Sequence, residues 1–289
     1  MIHAFIIGCG DIGRRTATLW MAMNGRVSAL VRSQTAGQSL QKTGIAPVSG
    51  DLDDATSLMH LPLKDTLLFY FAPPPNTGAT DPRLRAALAA ITPANQPAKI
   101  VYISTSAVYG DCQGDWVTED TPTHPRSERG ARRLDAENAL QDWQRNTGVP
   151  VVILRVPGIY GPGRLPIDRI KQGVPVVREE EAPCSNRIHA DDLARICIAA
   201  AQRGRAGQVY NVSDGSPSTM TDYFNKTADL LGLPRPLAVS MAEARLHLTT
   251  RMLSFLEESR RIDNRKMREE LGIELLYPTL DTGLPACLP

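Results

Sequence analysis

Apolar residues along this chain gather into short runs of strand length, separated by segments that suit helices. The first run, Ile2-His3-Ala4-Phe5-Ile6-Ile7, stops at Gly8-Cys9-Gly10-Asp11-Ile12-Gly13, and a helix-competent segment follows from Arg14 to Trp20. Arg26 to Val31 reads as a second strand, residues 34–44 as a short helix closed by Gly44, and Ala46-Pro47-Val48 as a third strand. Leu67-Leu68-Phe69-Tyr70-Phe71-Ala72 is almost continuously apolar, the pattern of a parallel strand covered on both faces. Pro73-Pro74-Pro75 ends it, because proline cannot donate to a ladder. A helix over about 81–91, a strand from Lys99 to Ser104, a polar loop over 110–126, a helix over about 127–146 and a strand from Val151 to Val156 continue the alternation.

Beyond Gly158 the texture changes to short elements and prolines, with one more strand at Val209-Tyr210-Asn211-Val212 and mostly helical stretches at 219–232 and 240–271. Strands alternating with helices predict an α/β fold, a doubly wound parallel sheet with a smaller C-terminal substrate lobe. The expected organisation is a single domain over residues 1–289, with the body mainly in 1–160 and the lobe mainly in 161–289, some of whose segments return to the body.

The glycine triplet gains meaning from its place between a strand and a helix, the setting of a dinucleotide-binding turn. Gly8 permits the tight turn, Gly10 the approach of a pyrophosphate, and Gly13 the close packing of helix on strand. The free N–H groups of Asp11, Ile12 and Gly13 at the helix start would meet the phosphate charge. An acid after the second strand would suit the ribose 2′-hydroxyl of NAD; this strand ends instead at Arg32-Ser33. A guanidinium can grip a 2′-phosphate with two hydrogen bonds, which favours NADP(H), with NAD possible. The alternative is a solvated arginine at a strand end.

Composition narrows the field only a little. The formal charge of +1 supplies no electrostatic footprint for nucleic acid, and the arginine clusters at 129–133 and 260–268 have acids interleaved. Cys9, Cys112, Cys184, Cys197 and Cys287 form no C-x-x-C pair, which fits reduced thiols rather than a disulfide frame or a zinc site. No apolar stretch reaches membrane-spanning length, and the first run is too short for a signal peptide. The expectation is a soluble cytoplasmic protein with a small-molecule substrate and no metal, nucleic acid or membrane partner.

Six motifs in order resemble the extended and atypical short-chain dehydrogenase/reductases, the NAD-dependent epimerase/dehydratase group with its Rossmann-like fold. They are Gly8-x-Gly10-x-x-Gly13, Asp51-Leu52, Ser104-Thr105-Ser106-Ala107-Val108-Tyr109-Gly110, Arg155-Val156-Pro157-Gly158-Ile159-Tyr160-Gly161-Pro162, Ile188-His189-Ala190-Asp191-Asp192-Leu193-Ala194 and Tyr210-Asn211-Val212-Ser213-Asp214. The resemblance implies that Asp51 and Leu52 face the adenine, that Ala72, Pro73 and Pro157 lie along the nicotinamide half, and that the protein is an oxidoreductase or epimerase-like enzyme. It also implies a homodimer built on the helix at 127–146.

The catalytic pattern of that group is broken here. Its Tyr and Lys lie four residues apart on one helix face; aligning the helix on Glu137 places Arg129 at the Tyr position and Arg133 at the Lys position. A guanidinium stays protonated and cannot cycle as a general acid and base. Arg133 would still bind a ribose or phosphate; alternatively Arg129, Arg133 and Glu137 form an exposed ladder of about 0.3–0.5 kcal/mol per pair. Thr105 matches the Ser/Thr that holds a substrate oxygen, and Tyr109 and Tyr160 are the candidate replacement proton donors, unless they are packing residues. Ser106 and Ala107 replace the Asp-Glu pair of the sugar-nucleotide dehydratases. Ser185 stands where several epimerases carry a phosphate-binding Arg, with Arg187 two residues on. His189 is expected to be structural, ahead of a helix capped by Asp191 or Asp192. The segment 257–267 is expected to be a salt-bridged surface helix, with Arg261 within reach of an anionic substrate in the alternative reading. Two functions remain: an NADP(H)-dependent oxidoreductase or epimerase-like enzyme acting on a small polar carbonyl or hydroxyl compound with a non-standard proton donor, or a non-catalytic dinucleotide-binding redox or cofactor sensor acting through a protein partner.

Overall fold

A computed structural model describes residues 3–288. Seven parallel strands form the central sheet: β1 (His3–Ile7), β2 (Arg26–Val31), β3 (Ala46–Ser49), β4 (Leu67–Tyr70), β5 (Lys99–Thr105), β6 (Val151–Val156) and β7 (Val209–Asn211). Their order across the sheet is β3-β2-β1-β4-β5-β6-β7. The order therefore reverses between β1 and β4, where a doubly wound sheet opens a crevice at its carboxyl edge. Every residue of β4 and β6 is buried, which explains their unbroken apolar runs.

Two helical layers cover the sheet. α1 (Asp11–Ala22) packs beside α6 (Ala190–Arg203) on one face, and α3 (Pro82–Ala89) beside α4 (Glu128–Thr147) on the other. Local chemistry fixes several of these ends. Ser33 accepts from Ala36 N–H to cap α2 (Gln34–Gln41), Asp81 accepts from Leu84 N–H to cap α3, and Ser127 accepts from Gly130 N–H to cap α4. His189 starts α6, its ring accepting from Asp191 N–H at 3.2 Å. The expected carboxylate caps are thus displaced by the imidazole. Asp192 turns away and accepts from the backbone N–H groups of Leu276 and Tyr277.

While α10 (Arg265–Glu270) returns to the body, where Met267 is buried in the main core, the C-terminal lobe carries α5 (Ile167–Lys171), α7 (Met220–Leu230), α8 (Met241–His247) and α9 (Thr250–Leu256). Its small core gathers Tyr160, Ile170, Tyr223, Phe224 and Leu280. The stretch expected to be helical over 240–271 is interrupted at 257–264. There Arg261–Ile262 pairs in parallel with Trp116–Val117, and Asn186 binds Ile262 N–H at 2.9 Å. Glu258 and Arg260 are buried, so this segment is a strap tied into the body and not a surface helix. Its burial depends on Gly110 O, which accepts from Arg260, a partner 150 positions away.

Candidate active site

The glycine turn has the geometry its sequence requires. Gly8 has φ +94°, and a Cβ there would lie 2.4 Å from Ala72 N at the end of β4. A Cβ on Gly13 would lie 2.8 Å from Gly8 O, whereas Gly10 faces open space. The crevice thus has two tight contacts that hold strand and helix together and one clear approach for a phosphate. No side chain caps α1 at Gly10, which leaves its first N–H groups available. Ile12 is buried in the core, so only its backbone can meet a cofactor. The Asp11 carboxylate turns to Arg15 (2.8 Å) and Arg164 (2.5 Å). Burial pushes its pKa up, but the two arginines outweigh that and hold it below the ordinary value. Its negative charge is neutralised beside a site meant for phosphate.

A cavity of about 340 Å³ opens next to this turn. Gly8, Arg32, Ser33, Asp51, Leu52, Ala72 and Pro73 all border it, so the structure brings these expected positions together. Two further arginines border it that the sequence reading passed over. Arg14 directly follows Gly13 and donates to Ser39 Oγ at 3.2 Å; its place after the last glycine was the available signal. Arg83 forms a two-pronged pair with Asp53 at 2.7 and 2.6 Å. With Arg83 matched by Asp53, Arg14 and Arg32 face Asp51 as the remaining charges, an excess of cation around the pocket.

Arg133 reaches over the carboxyl edge of the sheet. Its Nη1 donates to Tyr102 Oη (2.9 Å), Ile103 O (3.1 Å) and Ala72 O (3.4 Å). The exposed ladder with Glu137 does not form. Glu137 is buried and pairs with Arg155 at 2.8 Å while accepting from Ser104 Oγ. Arg129 stacks its guanidinium on the Phe255 ring at 4.2 Å.

A second cavity, about 260 Å³, lies at the ends of β5 and β6 and is bordered by Thr105, Arg129, Pro157, Ser185 and Arg187. Thr105 Oγ1 accepts from Ala107 N–H at 3.3 Å, so its own proton remains free to donate. The two tyrosines expected as proton donors are not brought here. Tyr109 is buried beneath the Arg155 guanidinium and donates to Asn211 Oδ1 at 2.7 Å. Tyr160 packs between His189 and Tyr223 and donates to Thr279 O at 3.3 Å. Burial pushes the Tyr109 hydroxyl up to about 12, and raises Tyr160 as well. Their partners lie a hundred or more positions away, which is why loop position alone misplaced them.

Among the described residues no helix is long and apolar enough to cross a membrane, and no group of three His, Cys, Asp or Glu side chains could hold a metal ion.

A doubly wound parallel sheet with a glycine turn at its switch point and a cation-lined pocket beside it defines a dinucleotide-binding protein. A family model described as "NAD dependent epimerase/dehydratase family" matches residues 4–213, and the chain belongs to that family. It is 27% identical to Protein YeeZ of Escherichia coli (strain K12), over 94% of this chain and 95% of that protein. A functionally unknown conserved protein from Silicibacter pomeroyi has a similar structure, with a TM-score of 0.83, 31% identity and coverage of 99% and 98% of the two chains. The dTDP-glucose 4,6-dehydratase of Bacillus anthracis, solved in complex with NAD, shares the fold with a TM-score of 0.79, 20% identity and coverage of 99% and 95%.

Proposed function

We propose that this chain is an NADP(H)-dependent oxidoreductase or epimerase-like enzyme for a carbonyl or hydroxyl compound, working without the family's Tyr and Lys. The observation that carries the reading is the pair of arginines, Arg14 and Arg32, on the cavity beside the glycine turn. A 2′-phosphate would balance the excess of cation that Asp51 leaves around this pocket, and a charge-assisted hydrogen bond to it contributes about 1.5–3 kcal/mol. A nicotinamide bound along Ala72 and Pro73 would supply or accept a hydride. Gly10 would leave room for the pyrophosphate, and Arg133, held over the sheet edge, would lie toward the ribose. Thr105 would donate to the substrate oxygen in the cavity at the ends of β5 and β6. Tyr109 and Tyr160 are assigned to packing on this reading, because a buried phenol with a raised pKa is a poor proton donor.

Arg129 on Phe255 favours a second reading, a non-catalytic cofactor sensor, since a permanently charged group occupies the family's proton-transfer position. NADPH and NADH titrations followed by nicotinamide fluorescence test the cofactor choice. NADPH should bind at least tenfold more tightly, and Arg32→Asp should erase the difference. An unchanged preference in that variant would end the argument from charge. NADPH oxidation across a panel of aldehydes, ketones and keto acids tests turnover, and its complete absence would leave the sensor.

A further inference from the structure

Two guanidinium groups, Arg187 and Arg169, have no carboxylate within ion-pair distance among the described residues, and they border cavities that share Met220 and Phe255 as lining. Arg187 is 6% exposed, stacks on the Tyr223 ring at 4.0 Å, and donates from Nη2 to Met220 Sδ at 3.4 Å. Its Nε has no hydrogen-bond partner, and among the described residues no carboxylate lies within ion-pair distance of it. Burying a cation in this way costs several kcal/mol unless an anion joins it. Burial weakens the hold of Arg187 on its proton, and Asp214 and Asp222 act on it only through space. The guanidinium lies against Gly158, where a Cβ would approach Nη1 to 2.7 Å, so it faces the cavity that Thr105 borders. Ser185 Oγ, Glu258 Oε1 and Arg260 Nε, from residues bordering the same cavity, are also buried without partners among the described residues. Native interiors leave few such atoms unmatched, and four around one cavity point to a polar ligand.

Met220 and Phe255 border a neighbouring cavity as well, of about 410 Å³. Val176, Val177, Leu248 and Met252 give it apolar walls. Among the described residues its polar side chains are Thr249, whose hydroxyl accepts from Met252 N–H, and Arg169, stacked on Phe224 at 4.7 Å with Nε unpartnered. Such walls offer little to the hydroxyls of a sugar or the edge of a base, and leaving those groups unpaired costs binding energy.

We propose that the compound bound beside Thr105 is an amphipathic organic anion, its carboxylate or phosphate paired with Arg187 and its apolar arm running past Met220 and Phe255 into the second cavity. This rests on the substrate cavity assigned above and deepens it to a substrate class.

Isothermal titration of the full chain, with and without saturating NADPH, tests it with octanoate, octyl phosphate, octanol, acetate, inorganic phosphate and UDP-glucose. Octanoate or octyl phosphate should bind at least tenfold more tightly than octanol, and at least tenfold more tightly than acetate or inorganic phosphate. Whichever eight-carbon anion binds better identifies the head group. Arg187→Met should remove the advantage of the anion over octanol. Leu248→Trp, at the half-buried rim of the outer cavity, should weaken the eight-carbon anions tenfold while leaving acetate unaffected. Equal binding of octanol and the anions, no gain from the eight-carbon chain, tighter binding of UDP-glucose, or no binding of any probe would each overturn the proposal. Should Arg187→Met fail to fold, the probe series on the unaltered protein and Leu248→Trp decide. A failure of NADPH to bind would refute the cofactor reading alone, because the probe comparison without NADPH reads the cavity directly.

Discussion

The pair Glu137–Arg155 gives the sharpest stability prediction. Glu137 is 1% exposed on the inner face of α4, and its Oε2 lies 2.8 Å from Arg155 Nη2. Arg155 Nε adds bonds to both carboxylate oxygens at 3.2 and 3.3 Å, and Ser104 Oγ donates to Oε1 at 2.5 Å. Tyr109 covers the guanidinium from the far side at 4.8 Å. Replacing Glu137 with Ala leaves a buried cation without its counter-charge, while Arg155 Nη1 already lacks a partner. Removing one member of such a pair costs about 3–5 kcal/mol. With a shift of about 2–4 °C per kcal/mol for a chain approaching this size, Tm should fall by roughly 6–20 °C. Glu137→Gln keeps an acceptor for Ser104 but removes the charge, and should cost about 1–3 kcal/mol. The double variant Glu137→Leu with Arg155→Met, apolar on both sides, should be more stable than Glu137→Ala, since two charges no longer need burial. Urea unfolding followed by far-ultraviolet circular dichroism reads all three. A cost below about 1 kcal/mol for Glu137→Ala would refute the account, as would a double variant less stable than the single one.

Other expectations follow from the same geometry. Burial lifts the Asp214 carboxyl to about 7 in the folded protein. The unfolded chain releases that proton near pH 4, so stability should decline as pH rises from about 4 to about 7 and level off above, by on the order of a few kcal/mol. Asp214→Asn, compared with the unaltered protein by thermal unfolding at pH 5 and pH 8, should lose most of this decline; an unchanged slope would place the titration elsewhere. Gly8→Ala drives a Cβ toward Ala72 N at a left-handed φ, and should cost more than about 1 kcal/mol while weakening NADPH binding. Retention of both stability and binding in that variant would show that the turn tolerates a side chain. His189→Ala removes the imidazole that caps α6 and should cost at least about 1 kcal/mol in thermal unfolding; no loss would assign the cap to another group.

The sheet was legible because burial on two faces forces apolar runs, and β4, β5 and β6 are such runs. The glycine turn was legible because much of its constraint is local: Gly8 has φ +94° and Gly13 meets Gly8, although the contact of Gly8 with Ala72 comes from the neighbouring strand. The substrate side was far less so. Arg260 looks like any surface arginine in sequence, and only the distant Gly110 carbonyl and its neighbour Glu258 make its burial possible. Tyr109 and Tyr160 stand beside the right strand ends, yet Asn211 and Thr279 decide where their hydroxyls go. Arg133 lies over the sheet edge, bound to Tyr102 Oη and Ala72 O, while the ladder with Glu137 does not form because Arg155 holds Glu137 inside.

The two cavities differ in when their walls come into existence. Every residue bordering the pocket beside the glycine turn lies between Ile7 and Arg83, whereas the inner cavity is complete only once Arg260 has been made and the strap has paired with Trp116–Val117. A growing chain therefore has all the residues of the pocket beside the glycine turn long before it has those of the inner cavity. Folding of the second site has to wait for contacts that span most of the polypeptide, the slow kind of closure.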